Sequence, residues 1–189
     1  MKRIVILSLT LALGVVVALA VGSFLTPKPQ PAQTAMAHWK NIYKTTGGLV
    51  AGADLIVTAD HLWAEPGRVV GEGEDATPFT NNTFAVGSIL KGVHEDSTLV
   101  LEQTGGVTAD GAVFNINDGG PYQPGEPYLL FLKSKGDGTY YLINHQARYR
   151  IVDGFLEGVD PTDPVVARFN GMSLDRGFNV IEKKVRTLE

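Results

Sequence analysis

The sequence predicts a mainly β domain, a small barrel or sandwich of about six short strands ending in a C-terminal helix, with a transmembrane helix ahead of it. Three observations carry that expectation. Turn formers are abundant, with 22 Gly and 10 Pro in 189 residues. Short apolar runs alternate with polar positions after Ala53. Before them lies an uncharged apolar stretch, Ile4 to Leu25, long enough to cross a bilayer as a helix.

Residues 1–25 are therefore read as a membrane anchor or signal segment, with the retained anchor preferred. Ala18-Leu19-Ala20 and Ala35-Met36-Ala37 satisfy the small-x-small rule, so cleavage and secretion are the alternative. Lys2 and Arg3 precede the stretch and Lys28, Lys40 and Lys44 follow it, which nearly balances the positive-inside rule. The short N-terminus and the order basic, apolar, polar favour an extracytoplasmic domain over one facing the cytoplasm. Residues 26–46 are a Pro/Gln-rich spacer with a short helix over Ala35–Lys44, stopped by Gly47-Gly48. Residues 47–189 are the β domain with its C-terminal helices.

Within that domain Leu55, Val57, Ala59, His61 and Trp63 are expected on one face of a first strand, ended by a turn at Glu65-Pro66-Gly67. A polar loop from Gly71 to Pro78 leads to a strand over about Phe79–Leu90. Leu99 to Leu101 form another, and Gly105-Gly106 and Asp110-Gly111 punctuate the chain. Ala112, Phe114 and Ile116 alternate with Val113, Asn115 and Asn117, as in a half-buried strand. After Asp118-Gly119-Gly120-Pro121, the run Tyr128–Leu132 is apolar on both faces, which predicts a central covered strand. Gly136-Asp137-Gly138 joins it as a hairpin to Tyr140–Ile143. Tyr149 and Ile151 mark a last strand, with Arg148 and Arg150 pointing outward. Asp163 caps a short helix ended by Gly171; Ser173 caps the next, whose Leu174, Phe178, Ile181, Val185 and Leu188 form an apolar stripe packed on the strands.

The net charge is -4, and the five cations before Ala53 (Lys2, Arg3, Lys28, Lys40 and Lys44) leave the remainder at -9. An acidic domain without a clustered basic surface argues against nucleic acid as a partner. The absence of cysteine removes disulfides, thiolate catalysis and Cys-based zinc sites.

Phe84-Ala85-Val86-Gly87-Ser88-Ile89-Leu90-Lys91-Gly92 and Pro124-Gly125-Glu126-Pro127-Tyr128-Leu129-Leu130-Phe131-Leu132 together resemble the OB-fold barrels of the netrin and tissue-metalloproteinase-inhibitor type, and related exported bacterial domains. The resemblance covers about Leu55 to Ile151 and implies an OB-like barrel. Inhibitors of that family chelate the protease metal through a free N-terminal Cys, which this chain lacks, so the resemblance implies an architecture and no mechanism.

Residues that bear chemistry are scattered. His38, His61, His94 and His145 have no paired ligand spacing. Asp60 and His61 are strand neighbours and point to opposite faces. Ser88, Ser97, Ser134 and Ser173 lack a nucleophile elbow. Gly71-Glu72-Gly73-Glu74-Asp75 is too acidic to cradle phosphate and reads as a solvated loop. Asn115, Asn117 and Asp118 offer alternating oxygens but lack the distal Glu of a calcium loop, and read as a polar turn. Tyr122, Tyr128, Tyr140, Tyr141 and Tyr149, with Arg148 and Arg150, either line a ligand-gripping face or complete a core with hydroxyls at its rim.

No catalytic, cofactor-binding or metal-ligating set is assigned and no cofactor is expected. The expected function is a membrane-tethered, extracytoplasmic, non-enzymatic module that binds or scaffolds an envelope protein or other peptidic partner. A hydrolase with a dispersed site, or an inhibitor or ligand-binding barrel that does not chelate metal, are the alternatives. Clustering of Asp60, His94 or His145 with a hydroxyl in one cleft would favour the enzyme; an apolar, aromatic-rimmed groove would favour binding.

Overall fold

The structure, a computed structural model, describes residues 33–35, 41–107, 113–116 and 119–188. The expected membrane segment 1–25 and the proline-rich stretch after it lie outside the described residues, as do His38, Asn117 and Asp118. Among the described residues no helix is long and apolar enough to cross a membrane.

The described chain is mainly β with a C-terminal helix. Its strands are β1 (Gln33–Ala35), β2 (Leu55–Val70), β3 (Thr77–Lys91), β4 (Thr98–Thr104), β5 (Gly106–Val107), β6 (Val113–Ile116), β7 (Pro127–Ser134), β8 (Thr139–Leu142), β9 (Arg148–Val152) and β10 (Phe155–Gly158). The helices are α1 (Thr46–Gly52), α2 (Val166–Phe169) and α3 (Leu174–Val185). Seven strands form one sheet in the order β10-β9-β7-β2-β3-β4-β8, and β1-β6-β5 form a small second sheet. One edge of β7 pairs with β2; the other is shared by β9 at its start and β8 at its end. Strand β8 also meets β4 in parallel through two residue pairs, Val100↔Thr139 and Leu101↔Tyr140.

As its unbroken apolar run predicts, β7 is the centre of the core: Tyr128 to Leu132 are all buried. Alternation sends Tyr128 towards Phe84, and Phe131 towards Tyr149 and Phe169 of α2. The hairpin at Gly136-Asp137-Gly138 forms as expected, with Thr139 N and Oγ1 both donating to Asp137 Oδ1.

The first strand departs from expectation twice. It does not turn at Glu65-Pro66-Gly67 but runs on to Val70, paired with β3 throughout. Proline is tolerated because β7 stops pairing at Asp60, so the Pro66 nitrogen faces an unpaired edge where no donor is needed. A register shift between His61 and Trp63, opposite Phe84 and Thr83, inserts one residue into β2. Its face alternation breaks there, so His61 is buried while Trp63 is half exposed.

The leading helix also lies elsewhere. Residues 41–45 are not helical, and Gly47 and Gly48 sit in the first turn of α1 instead of ending a helix. Thr45 supplies the start signal, its Oγ1 accepting from Gly48 N at 3.1 Å. At the other end of α1, Lys91 Nζ donates to the carbonyls of Val50, Ala51 and Ala53 at 2.8, 3.2 and 2.6 Å, a cation placed where helix carbonyls are unsatisfied. Gly92 follows with φ +83, and a Cβ there would lie 2.3 Å from the Asp54 carbonyl oxygen. The Leu-Lys-Gly ending of β3 is thus a helix cap and a close backbone approach.

Residues 41–43 are tied to the β8–β9 connection by buried amides. Gln146 Nε2 donates to the Tyr43 carbonyl and to both Asp163 oxygens, and its Oε1 accepts from Tyr43 N. Asn144 Nδ2 donates to Asn41 O and Gln146 Oε1.

In the tail, Asp163 caps α2 as expected, its Oδ1 accepting from Val165 N and Val166 N. Ser173 occupies the N-cap of α3 but its hydroxyl makes no cap bond; Leu174 N donating to Gly154 O fixes the start instead. The inward face of α3 is Leu174, Gly177, Ile181 and Val185, with Phe178 half-buried and Leu188 exposed. Close contact shifts the stripe: a Cβ on Gly177 would lie 2.8 Å from Leu156 Cδ1 of β10.

Candidate functional site

Phe84, Tyr122, Tyr128 and His61 form an aromatic cluster. The Phe84 ring meets Tyr122, His61 and Tyr128 edge-on at centroid distances of 4.9, 5.1 and 6.1 Å, and Tyr122 meets Tyr128 at 5.0 Å. Arg148 covers this cluster, its guanidinium carbon 3.8 Å from the Tyr122 centroid and 5.1 Å from that of Tyr128. It is only 5% exposed, which corrects the outward placement expected for it. The reason lies far away in sequence: the loop before β7 folds over β9, and the Gly120 and Pro121 carbonyls accept from Arg148 Nη1 and Nη2 at 2.6 and 3.3 Å.

Two residues on, Arg150 remains near the surface. Its Nη1 donates to Glu126 Oε1 at 3.1 Å and its Nη2 to Glu157 Oε2 at 2.8 Å. The Tyr128 hydroxyl donates to Glu126 Oε2 at 2.8 Å and accepts from Gln123 N at 3.2 Å. The Tyr128 hydroxyl, with Arg150, holds the Glu126 carboxyl below its usual range, while burial pushes the Tyr128 phenol up. Together these groups line an open cleft of about 370 Å³, with Gly119, Gly158 and Val159 also in its wall.

Of the tyrosines expected on a ligand-gripping face, Tyr128 lines this cleft and Tyr122 supports it from beneath. Tyr149 lies on the opposite side of β9, packed on Phe131 and Phe169, with its hydroxyl unpartnered among the described residues and its pKa raised by burial. Tyr140 sits beside His94, and Tyr141 is exposed. Gln123 and Glu157 carry no signal in the sequence, and Glu126 stands there only within the stretch that carries the resemblance, not as a site residue. The signal for Glu126 was available, since Glu126 and Tyr128 enter β7 two residues apart and so share a face, as Arg148 and Arg150 do on β9.

The groups weighed for catalysis do not converge. His94 Nε2 contacts the Thr98 carbonyl at 2.9 Å and Nδ1 the Tyr140 hydroxyl at 3.2 Å. His145 Nε2 lies 3.4 Å from Asp163 Oδ2, and that carboxylate is already engaged in capping α2 and holding Gln146. Asp60 is exposed. Among the described residues no hydrogen bond or ion pair joins these groups to one another, and no cluster of acidic and histidine side chains could hold a metal ion.

His61 is buried with neither ring nitrogen in a hydrogen bond among the described residues; Asn82 and the Gln123 backbone lie near but out of bonding geometry. Burial lowers its pKa, and the Arg148 cation adds to that. The sign follows from linkage. Below pH about 6.5 the unfolded chain takes this proton before the folded one, so the stability His61 contributes is intact above that pH and is lost on acidification. Denaturant melts from pH 7 down to about 5 should show a falling midpoint, and His61→Leu should flatten the fall. Asp54, Glu102 and Asp163 are held low by their hydrogen-bond partners, so their contributions are lost only below pH about 4.5.

Compared with known proteins, the chain matches no family model and no curated sequence.

Proposed function

We infer that this chain is a ligand-binding module, an OB-like barrel carried at a membrane on the extracytoplasmic side, whose binding site is the cleft over Tyr128 and Arg148. The observation that carries the reading is the cleft itself: an open concavity with an aromatic and guanidinium floor and a rim of hydrogen-bonding groups from Gln123, Glu126 and Arg150. The circuit β7-β2-β3-β4-β8-β7, with its antiparallel steps and one parallel step, supports the OB-like assignment, since that fold is a five-stranded, partly open barrel. The uncharged stretch from Ile4 to Leu25 supports membrane delivery. An envelope protein or peptidic partner matches a cleft whose polar groups suit a chain with amide and charged groups.

Affinity capture of the full-length protein from its own membrane, in parallel with Gln123→Trp, tests this. Gln123 is exposed at the rim, so a Trp there fills the cleft while leaving the core untouched. The expected result is a partner held by the parent chain and lost by the variant at an unchanged melting temperature. An identical set of captured proteins would place the binding surface elsewhere.

A further inference from the structure

Arg148 is a buried cation without a directly paired carboxylate among the described residues; Glu126, whose charge acts on it, is bonded to Arg150 and the Tyr128 hydroxyl instead. None of the ion pairs among the described residues includes it. Of the five guanidinium donors, the hydrogen bonds to Gly120 O and Pro121 O use two. Burying an ion without a partner of opposite charge is costly, and backbone carbonyls and ring faces offset only part of that cost. Gly119 lets the loop lie this close to the guanidinium: it has φ +100, and a Cβ there would lie 2.6 Å from Val159 Cγ2 and 3.4 Å from Arg148 Nη1. Resting on the reading of the cleft as the binding site, we propose that Arg148 receives the carboxylate of a peptidic ligand, such as a free chain terminus.

The charges around the cleft select the anion. Arg150 is already committed to Glu126 and Glu157, and with Arg148 the four side chains sum to zero. A monocarboxylate leaves the site at -1, whereas a phosphate dianion leaves it at -2 beside two glutamates, so the carboxylate is the better guest. Gln123 and the Tyr128 hydroxyl stand beside the guanidinium to meet the peptide amide next to that terminus.

The test is a titration of the full-length protein in neutral detergent, near neutral pH, with three probes: N-acetyl-dialanine, its C-terminal amide and inorganic phosphate. The free acid should bind at least about ten-fold more tightly than either other probe, as expected for a charge-assisted pairing with Arg. Arg148→Met should bring the acid down to the level of the amide. Should that variant fail to fold, Arg148→Lys keeps the charge without the fork and should lower the preference for the acid several-fold. A purely structural Arg148 would leave acid and amide equivalent in the parent chain, and that outcome overturns the proposal. So does tighter binding of phosphate, or no binding of the acid at millimolar concentration. Equal binding of acid and amide that Gln123→Trp abolishes removes the carboxylate preference while the cleft stands as the binding site.

Discussion

Phe84→Ala is expected to lower the unfolding free energy by about 3 to 5 kcal/mol, the range for truncating a fully buried Phe. The ring is inaccessible to solvent and makes three edge-on contacts, to His61, Tyr122 and Tyr128. Little in the surroundings can collapse into the cavity, because Tyr128 is held by Glu126 and the Gln123 amide, and Tyr122 lies under Arg148. Equilibrium denaturation at neutral pH measures the loss. A change under about 1 kcal/mol would mean that the cluster is not a packed unit and that the cleft floor is not rigid.

Ile181→Ala is expected to cost about 2 to 4 kcal/mol. Its side chain is fully buried on the inward face of α3, a turn beyond Gly177, where the helix comes hard against Leu156. Phe178→Ala should cost less, because that ring is only partly buried and the truncation removes less area from the core than at Ile181. Matched denaturant melts of the two variants separate a packed helix from one that waits for a partner. Unchanged midpoints for both would sink the packed helix.

The sequence carried the parts of this fold that depend on local pattern. The unbroken run Tyr128–Leu132 could only be a strand covered on both faces, and Gly-Asp-Gly could only turn it back on itself. Asp163 was legible as a cap because its two acceptor bonds go to residues two and three positions ahead. What was not legible depends on residues far apart in the chain. Pro66 reads as a turn until one knows that β2 has lost its second neighbour there. Arg148 reads as an outward charge until the Gly120 and Pro121 carbonyls arrive over it from 28 and 27 positions away. Gln146 carried no signal at all, since its partners at Tyr43 and Asp163 lie on opposite sides of it in sequence. The cleft depends on the last-but-one of these, the loop of Gly120 and Pro121 laid over Arg148, and on Glu157 reaching Arg150 from β10. Its lining is thus set by pairings between strands and not by local pattern.

The unpaired edge of β2 bears on solubility. Past His61, whose backbone bonds the Gly125–Glu126 turn, the strand has only β3 beside it among the described residues, and Trp63, Val69 and Val70 are about half exposed. An open ladder flanked by apolar side chains is the usual template on which a second chain adds and a fibril starts. Pro66 stands in the middle of that edge without a backbone donor and divides it into two short pieces. Replacing it with a residue that has an N–H would restore a continuous row of donors and acceptors. The proline that disguised the strand in the sequence thus interrupts the edge, and its replacement is expected to favour pairing between copies of this protein.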